Sequence, residues 1–594
     1  MDFTTRPEIT GTFGMATSTH WIASAVGMAM LEKGGTAIDA AVAMGFVLNV
    51  VEPHLNGPLG DLPALIWPAG DATPTVICGQ GVAPAGATIA HYRAEGLDMI
   101  PGSGLLATVV PGAFDAWMLM LRDHGHLSLR EVLEPAIHYA RQGHPVLARV
   151  SATISGLSQF FREEWPTSHA TWLPGGKAPA PGNLFCNPDL AATWERLVSE
   201  AENTSGREAQ INAARRVFSQ GFIAETIDDW MREACVMDAA GGRRKGVLTG
   251  QDMANWQASY DTPLSTDYHG WEVFKPGYWT QGPSLLQSLA TLRGVDLQTA
   301  SPAEFVHQIT EAMKLSFADR EAYYGDSMDM GTARDALLSE DYAAARRAMI
   351  GEQASLDQRP GILSGYEELA KAAIARAARK PEVPAGTGAG EPTMAHLSEK
   401  RGDTVHLDVI DRWGNMVSAT PSGGWLQSSP VVPGLGMPLN SRAQMFWLDK
   451  GLPTSLVPGK RPRTTLSPSM ARDPEGGQIA FGTPGGDQQD QWQLIFLLRL
   501  AHQTANLQEA IDAPLFHTAH FTASFYPRVA EPGHLMIEPG FGNDVLDDLA
   551  SRGHRLDIAA PWTVGRLTAA ARDKDGMMRA GATPRLMQAY AIGR

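Results

Sequence analysis

Thr404 stands at a point of the chain where one residue could act as both nucleophile and base. It follows Asp403 and opens a β-rich run, Thr404-Val-His-Leu-Asp-Val-Ile410. Attack of its hydroxyl on the carbonyl of Asp403 would shift the acyl group from nitrogen to oxygen, and hydrolysis of that ester would free an α-amino group. Such an amine has a pKa of about 7.7–8, so it can act as general base for its own hydroxyl. Considered alone, a threonine here is also an ordinary β-branched strand residue.

A pair of glycines is the second candidate for the same chemistry. Gly485 and Gly486 lie in Gly482-Thr-Pro-Gly-Gly-Asp487, directly after the apolar run Gln478-Ile-Ala-Phe481. A glycine turn after a strand exposes consecutive backbone N–H groups, which suit the oxyanion of a tetrahedral intermediate. As an isolated motif it is more typical of a tight turn. The segment Arg461-Pro-Arg-Thr-Thr-Leu-Ser467 offers guanidinium and hydroxyl groups to a site, or forms a surface loop.

The predicted secondary structure changes at Thr404, from a linker before it to strands after it. From about Gly365 to Arg401 the chain is rich in Ala, Lys, Gly and Pro, which predicts a mobile linker over 365–403. Directly afterwards come a strand, a turn at 411–415 and a return strand at 416–420, which predict a β-hairpin. A tether that runs straight into a hairpin makes sense if the chain is cut there. We therefore expect two portions, 1–403 and 404–594.

Helical apolar patterns dominate the first third of the chain. The predicted helices are Trp21–Lys33, a helix capped by Thr36 that runs to about Val51, Gly112–His124, Leu129–Gln142 and Pro302–Tyr324. No repeat of 20–50 residues is visible, which argues against a solenoid.

The composition excludes several classes of function. A formal net charge of −16 is unsuited to nucleic acid or to an anionic membrane surface. The polar segment 1–19 does not resemble a secretory signal, and the longest apolar run, Ala37–Val51, is too short to span a bilayer. The three cysteines are widely spaced and form neither a disulfide framework nor a zinc site. We expect a cytoplasmic protein.

Several long motifs together resemble the γ-glutamyltranspeptidase family, and the resemblance extends over nearly the whole chain. In chain order they are Gly34–Ala41, Val51–His54, Pro111-Gly112, His307–Lys314, Phe317–Arg320, Thr404-Val-His406, Thr464-Thr465 and Gly485-Gly486. Because these motifs follow the family's order, chance agreement is improbable.

The resemblance implies an α+β fold of the N-terminal nucleophile hydrolase type, a four-layer αββα sandwich. It implies self-cleavage between Asp403 and Thr404 into a large and a small subunit, which could assemble further as a dimer of heterodimers. Carried over by position, Thr404 is the nucleophile, the N–H groups of Gly485 and Gly486 hold the oxyanion, and Ser422 supports the nucleophile. No cofactor or metal is implied, and His406, although it alternates with Thr404 and Asp408 along the strand, is expected to be structural.

Two substrate-binding positions depart from the pattern of the true transpeptidases. In Cys78-Gly-Gln-Gly-Val-Ala-Pro84, Gln80 takes the place of the Arg that holds the α-carboxylate of a γ-glutamyl group. In Leu439-Asn-Ser-Arg-Ala-Gln-Met-Phe446, Met445 replaces the Asp that holds the α-ammonium. A charged ammonium buried beside methionine would be desolvated without a partner.

Arg442 is new relative to those transpeptidases and resembles an Arg of the amidohydrolase-like branch. We expect a small-molecule substrate with a carboxylate or α-keto acid end and no α-amino group. Arg442 and Arg463 would recognise that end, with Thr464, Thr465 and Gln80 as further contacts, because an Arg can hold a carboxylate through two parallel hydrogen bonds. A structural role for Arg442 is the equal alternative.

Three chemistries share this nucleophile: γ-glutamyl hydrolysis or transfer, hydrolysis of another carboxyacyl amide, and cleavage of an acyl carbon–carbon bond. We favour the second. The non-enzyme alternative is an uncleaved, inactive family scaffold, and cleavage distinguishes it from the others. An ordinary serine hydrolase is disfavoured because no G-x-S-x-G elbow is present, and a nucleotide-dependent enzyme because the glycine-rich stretch Gly386–Gly390 lies in the linker.

Overall fold

The computed structural model describes residues 3–379, 404–503, 505–587 and 589–594. Their secondary structure is a mixture of helices and strands. The helices are α1 Trp21–Glu32, α2 Ala37–Val51, α3 Ile89–Ala94, α4 Ala113–His124, α5 Leu129–Gln142, α6 Ala148–Glu163, α7 Pro166–Trp172, α8 Pro188–Ala201, α9 Arg207–Gln220, α10 Phe222–Glu233, α11 Gly250–Ala254, α12 Pro283–Leu292, α13 Pro302–Tyr323, α14 Glu340–Arg347, α15 Glu367–Ala377, α16 Gln489–His502, α17 Leu507–Asp512 and α18 Asn543–Ser551.

The strands are shorter and spread over the whole chain. They are β1 Ile9–Gly11, β2 Gly14–Ser18, β3 Leu62–Trp67, β4 Thr75–Gly79, β5 His144–Pro145, β6 Leu184–Phe185, β7 Val236–Met237, β8 Arg243–Arg244, β9 Ser259–Asp261, β10 Leu264–Tyr268, β11 Trp271–Lys275, β12 Leu407–Asp411, β13 Met416–Ala419, β14 Ser469–Arg472, β15 Gln478–Gly482, β16 Phe516–His517, β17 His534–Ile537, β18 Arg555–Ile558, β19 Thr568–Arg572, β20 Met578–Ala582 and β21 Tyr590–Gly593.

Two seven-stranded antiparallel sheets form the centre of the molecule. Sheet I has the order β21-β2-β12-β13-β3-β4-β9, and sheet II has the order β1-β20-β19-β15-β14-β11-β10. Side chains from both sheets share one buried apolar cluster, which includes Met15, Ile410 and Met416 of sheet I and Met470 and Ala570 of sheet II. The two sheets therefore pack face to face.

Helices cover the other side of each sheet. Helices α1, α2 and α4 share a core with sheet I residues such as Leu407 and Val417. Helices α12 and α16 share a second core with sheet II residues such as Ile479 and Phe481. The predicted α+β class is confirmed in this coarser form, with antiparallel sheets.

The predicted hairpin is confirmed as β12 and β13, which pair antiparallel with Leu407 opposite Ala419. Its turn is held by Asp411, whose Oδ1 accepts hydrogen bonds from the backbone N–H groups of Trp413, Gly414 and Asn415 at 2.9, 3.0 and 3.0 Å. The strand begins at Leu407, so residues 404–406 precede it rather than open it. β12 lies inside sheet I between β2 and β13.

The predicted helices of the first third are confirmed to within two residues at each end. α2 shows why the prediction works, because Thr36 and Asp39 form a reciprocal capping box at its start. All fifteen residues of α2 are buried, which fits its nearly unbroken apolar sequence.

The linker prediction is wrong at its beginning. Residues Glu367–Ala377 form α15, and its residues Leu369, Ala370 and Ala373 are buried in an apolar cluster. Alanine has the highest helix propensity, so an Ala-rich stretch with a small apolar stripe can form a packed helix without large side chains. Residues 380–403 of the predicted linker lie outside the described residues.

None of the helices among the described residues is long and apolar enough to cross a membrane.

Candidate active site

Thr404 lies at the junction of the two sheets. His406 precedes β12, and a Cβ placed on Gly482, the last residue of β15, would lie 2.2 Å from Cε1 of the His406 ring. The beginning of β12 in sheet I therefore meets the end of β15 in sheet II. Thr404 lies two residues before His406, and Gly485 three residues after Gly482, so both emerge at this same end of the sandwich of sheets.

Thr404 is buried, with only 1% of its surface exposed. Its Oγ1 lies 3.2 Å from Oγ of Ser422, so either hydroxyl can donate to the other. Ser422 is itself fixed by the backbone, because its N–H donates to the carbonyl of Asp61 at 3.0 Å and its carbonyl accepts from the N–H of Asp61 at 2.8 Å. The structure thus brings Thr404 and Ser422 together, and the supporting role of Ser422 stays a prediction.

His406 is fully bonded between the two sheets. Its Nδ1 lies 2.9 Å from Thr420 Oγ1, and its Nε2 lies 2.9 Å from Asp408 Oδ1. The other carboxylate oxygen of Asp408 accepts hydrogen bonds from Thr17 of β2 and Thr568 of β19 at 3.1 and 2.8 Å. With both ring nitrogens engaged, the ring fixes the segment that carries Thr404. This agrees with the structural role expected for His406.

Arg442 is the most unusual cation near Thr404. It is completely buried, and its Nε donates to Asp61 Oδ1 at 2.9 Å. Within the described ranges, its two terminal nitrogens have no hydrogen-bond partner. Its guanidinium carbon lies 4.8 Å from the centre of the Trp425 ring, a cation–π contact. Burial raises the pKa of Asp61, and the neighbouring Arg442 opposes that rise.

An apolar cluster also lies beside Arg442. Trp425, Met445 and Phe525 form one buried cluster, so methionine stands in an apolar wall. Phe525 also reaches the glycine pair, because a Cβ on Gly486 would lie 3.0 Å from its Cε2. A ligand between Gly486 and Arg442 would therefore meet aromatic and thioether groups along the way and two unsatisfied N–H-bearing nitrogens at the end.

The glycine pair has a backbone that few other residues can adopt. Gly485 has φ of 141° and Gly486 has φ of 53°, both in the region that favours glycine. A Cβ on Gly485 would also lie 2.4 Å from Cζ3 of Trp492. No group of the described residues accepts a hydrogen bond from the N–H of Gly485 or Gly486. Two N–H groups in an unusual turn are thus available to an anionic oxygen.

A buried ionic network supports this glycine loop from behind. Asp487 pairs with Arg320 of α13 and accepts from the N–H and the hydroxyl of Ser524 at 2.8 and 2.6 Å. Gln281 accepts from Arg320 at 2.9 Å and donates to the carbonyl of Gly486 at 3.0 Å. The sequence alone does not predict a role for these residues. Charged residues within the apolar pattern of α13 were the sequence feature that could have indicated a buried ionic network.

Arg463 belongs to the same network. It donates to Glu321 Oε1 at 2.6 Å and to Ser524 Oγ at 2.7 Å. The arginines hold the pKa of Glu321 down at about 2 against the effect of burial. Arg463 therefore lies behind the glycine loop, engaged with a buried carboxylate, and its predicted contact with substrate stays a prediction.

The remaining predicted contacts are spread around the site. Thr464 Oγ1 lies 3.5 Å from Asp61 Oδ2, and the buried Thr465 hydroxyl has no partner among the described residues. Gln80 donates to the carbonyl of Gly81 at 3.2 Å and lines a cavity of about 310 Å³ that Arg461 also lines. The structure thus connects Thr464 to the Arg442 ion pair, and no hydrogen bond between described residues connects Gln80 to it.

A separate histidine cluster lies against α13. His307, Glu311 and His554 place their ligand-type atoms within 4.8 Å of one another. Glu311 already pairs with Lys314 at 2.6 Å and with Arg359 at 2.7 Å. Two cations at the carboxylate disfavour a metal ion, so this cluster is a structural ion-pair group.

Known proteins match this chain over nearly its whole length. The family model described as Gamma-glutamyltranspeptidase matches residues 23–593. The chain is 30% identical over 597 residues to the Acylase ACY 1 proenzyme of Pseudomonas sp. strain SE83, a match that covers 98% of this chain and 94% of the relative.

Two further relatives cover the chain almost completely. The Oxamate amidohydrolase proenzyme of Klebsiella pneumoniae subsp. pneumoniae is 30% identical over 584 residues, with 97% of each chain covered. The solved structure of LmbA2991HD is 50% identical and superposes with a TM-score of 0.91 over 100% of both chains.

Proposed function

The chain belongs to the γ-glutamyltranspeptidase family, and on that premise we propose that it cleaves itself before Thr404 and then uses Thr404 to hydrolyse a carboxylate-ended amide. Relatives named acylase and amidohydrolase proenzymes are enzymes that act on amide bonds and are made as precursors, so this chain is an enzyme of the same hydrolase and acyltransferase group.

The reaction follows from the groups at the junction of the sheets. The freed α-amine of Thr404 takes the proton of its own hydroxyl as Oγ1 attacks the amide carbonyl. The N–H groups of Gly485 and Gly486 receive the negative oxygen of the tetrahedral intermediate. The amine part of the substrate then leaves with that proton, and the acyl part remains as an ester on Thr404. Water attacks this ester and releases the acid. Ser422 is placed to orient the Thr404 hydroxyl through their 3.2 Å contact.

One observation carries the choice of substrate: the two terminal nitrogens of Arg442 have no hydrogen-bond partner among the residues that the structure describes. A buried guanidinium that leaves two donors unsatisfied is costly unless a ligand supplies acceptors, and a carboxylate matches its geometry. Asp61 accepts the hydrogen bond from Nε of Arg442, which leaves the edge of the guanidinium formed by its two terminal nitrogens for the ligand. We therefore propose that the acyl group ends in a carboxylate held by Arg442.

The same pocket disfavours an α-ammonium group on the acyl chain. Met445 is fully buried beside Trp425 and Phe525, and this cluster carries no acceptor that could replace a carboxylate. An ammonium placed there would lose its hydration without compensation, at a cost of several kcal/mol. A carboxyacyl group without the amine is therefore preferred over γ-glutamyl.

The fold accommodates the proposed cut. Both sheets contain strands from either side of Thr404, for example β2 and β12 in sheet I and β11 and β14 in sheet II. The facing sheets with helices outside them support a four-layer αββα sandwich, in which residues 1–403 and 404–594 form one intertwined unit. Assembly of two such units remains part of the proposal.

A matched pair of amides tests the substrate assignment. Glutaryl-4-nitroanilide and γ-glutamyl-4-nitroanilide differ only in the α-amino group, and both release the same coloured amine. We expect kcat/KM to be at least ten times higher for the glutaryl compound. Faster turnover of the γ-glutamyl compound would contradict the assignment and leave the nucleophile unaffected.

A further inference from the structure

Gln281 is a buried amide that joins the glycine loop to the ionic network behind it, and the mechanism above gives it no role. It lies two residues before α12, and none of its surface is exposed. Its Nε2 donates to the carbonyl of Gly486 at 3.0 Å, and its Oε1 accepts from Arg320 Nη1 at 2.9 Å. The side chain of Gln281 therefore bridges a buried cation and the peptide that follows Gly486.

The partners of Gln281 determine the direction of its amide. An arginine carries only donors, so the amide oxygen must face Arg320, and the NH2 group then faces the carbonyl of Gly486, which can only accept. Arg320 is itself held, because its Nη2 lies 3.0 Å from Glu321 Oε1 and donates to the carbonyl of Thr522 at 3.0 Å. A charged donor polarises the amide and strengthens the next hydrogen bond of the chain.

Backbone hydrogen bonds anchor the segment that carries Gln281. On one side, the N–H of Thr464 donates to the carbonyl of Trp279 at 2.9 Å, and Thr280 forms a parallel bridge with Thr464. On the other side, the N–H of Ser284 donates to the carbonyl of Gln281 at 2.9 Å. The amide of Gln281 therefore extends towards the glycine loop from a backbone that is held at both ends.

The glycine pair is a part of the chain where such a contact matters. Gly485 and Gly486 have positive φ values of 141° and 53°, and glycine can leave such conformations more easily than other residues. The N–H of Gln489 also donates to the carbonyl of Gly486, which closes the turn locally. The contact from Gln281 adds a fixed point outside the loop. Rotation of the peptide after Gly486 would break that contact and displace the two N–H groups of the pair.

We propose that Gln281 is a positioning residue of the oxyanion site, which holds the Gly486 carbonyl so that the N–H groups of Gly485 and Gly486 point at the oxygen of the tetrahedral intermediate. This inference rests on the proposed function, in which those N–H groups receive that oxygen. Gln281 acts through the loop, and Arg442 binds the acyl end of the substrate. Loss of the Gln281 amide therefore lowers kcat and leaves the affinity for the acyl group unchanged.

A kinetic test uses two replacements of Gln281. Gln281→Glu keeps the shape of the side chain and its contact with Arg320, but it places an oxygen instead of a donor against the carbonyl of Gly486. We expect kcat for glutaryl-4-nitroanilide to fall about 10–100-fold with KM changed less than about threefold. Gln281→Met removes the donor without adding a charge, and it should show the same separation of kcat from KM with a smaller fall.

Gln493→Glu is the matched control. Gln493 is also fully buried, donates to a backbone carbonyl, that of Ser467, at 2.9 Å, and accepts from a cation, Lys275, at 3.2 Å. The same exchange is therefore made away from the glycine pair, and kcat should be kept. Rates are divided by the fraction of cut chain, measured by intact mass. Equal loss of kcat in Gln281→Glu and Gln493→Glu, or a rise in KM without a fall in kcat, overturns the positioning role.

A binding test decides the inference without turnover. 4-Boronobutanoate has the carboxylate and the carbon chain of glutarate, and its boron adds a hydroxyl such as that of Thr404 to form a tetrahedral anion, whereas glutarate stays planar. Both ligands are titrated calorimetrically into the wild type, the two Gln281 variants and Gln493→Glu. We expect the Gln281 variants to bind the boronate about ten times more weakly than the wild type, and glutarate within about threefold.

The outcomes of the binding test separate the inference from the function on which it rests. Equal weakening of the boronate and of glutarate, or unchanged binding of the boronate by both Gln281 variants, overturns the positioning role and leaves the proposed function intact. A wild type that binds neither ligand overturns the proposed function, and the inference with it.

Discussion

At the scale of single residues, the site is defined by which buried polar atoms have partners. Arg463 and Arg442 are both fully buried, yet Arg463 is engaged by Glu321 and Ser524 while Arg442 keeps two nitrogens unpartnered within the described chain. The two arginines cannot be distinguished from the sequence, because residue type alone does not reveal their partners. The difference arises from long-range partners such as Asp61, 381 positions away from Arg442.

Replacing Arg442 by lysine tests its contact with substrate. Lysine keeps a positive charge beside Asp61 but loses the planar fork that matches a carboxylate. We expect the KM for glutaryl-4-nitroanilide to rise about 10–100-fold with kcat changed less than threefold, which corresponds to about 1.4–2.8 kcal/mol. Steady-state kinetics checks this. An unchanged KM would show that Arg442 is structural, which is the alternative that the sequence left open.

Glu52 is a buried carboxyl at the end of α2, and its replacement by glutamine tests whether burial raises its pKa. Burial raises the pKa of Glu52 to about 7, so its protonated form is favoured in the folded state and stability is lost as pH rises from its ordinary value through 7. The Thr19 hydroxyl donates a hydrogen bond to Glu52 Oε2, and a glutamine can still accept it but never ionises. When the pH is raised from 5 to 8, we expect the free energy of unfolding of the variant to increase by about 1–3 kcal/mol relative to that of the parent.

Thermal unfolding in the Thr404→Ala background, where a single chain is expected, measures this effect. Glu195→Gln is the control, because the hydrogen bond from Arg130 lowers the pKa of that half-buried carboxyl and no titration occurs between these pH values. A relative stability of Glu52→Gln that does not change with pH would contradict the raised pKa.

At the scale of elements, the glycine loop after β15 is the part whose shape determines the rate. Gly485→Ala places a methyl group 2.4 Å from Trp492 at a φ of 141°. The loop must shift, and its N–H groups then leave the oxyanion position. We expect kcat to fall by about 10²–10³ with little change in KM, as for the loss of one oxyanion donor.

Gly476→Ala is a matched control for that experiment. Gly476 lies in the turn at the opposite end of β15, also has a positive φ of 94°, and has open space around its Cβ position. It should lower stability slightly and leave kcat unchanged. Equal effects of the two substitutions would show that backbone strain alone, rather than the position of the N–H groups, explains the loss.

Local elements were predictable from sequence because their signals are local. The capping box of α2 and the turn chemistry of Asp411 each depend on residues within four positions. The helix α15 was missed because its Ala-rich sequence also fits a linker composition. The pairing of Arg320 with Asp487 spans 167 positions, so no pattern along the chain could have placed Arg320 behind the glycine loop.

At the scale of the whole molecule, the two portions of the chain are interwoven. Strand β1 pairs with β20 and β2 with β21, which joins strands that lie before Thr404 to strands that lie after it. We expect the fragments of the processed protein to elute as one species in size-exclusion chromatography and to separate only in denaturant. Separation under native conditions would contradict one shared unit.

The most direct test of the account is the intact mass of the purified wild type beside Thr404→Ala and Thr404→Ser. We predict two wild-type chains that meet between Asp403 and Thr404, one uncut chain for Thr404→Ala, and cutting, at a reduced rate, for Thr404→Ser, which keeps a hydroxyl. An uncut wild type, or a Thr404→Ala chain cut at the same bond, would contradict a self-cleaving threonine nucleophile.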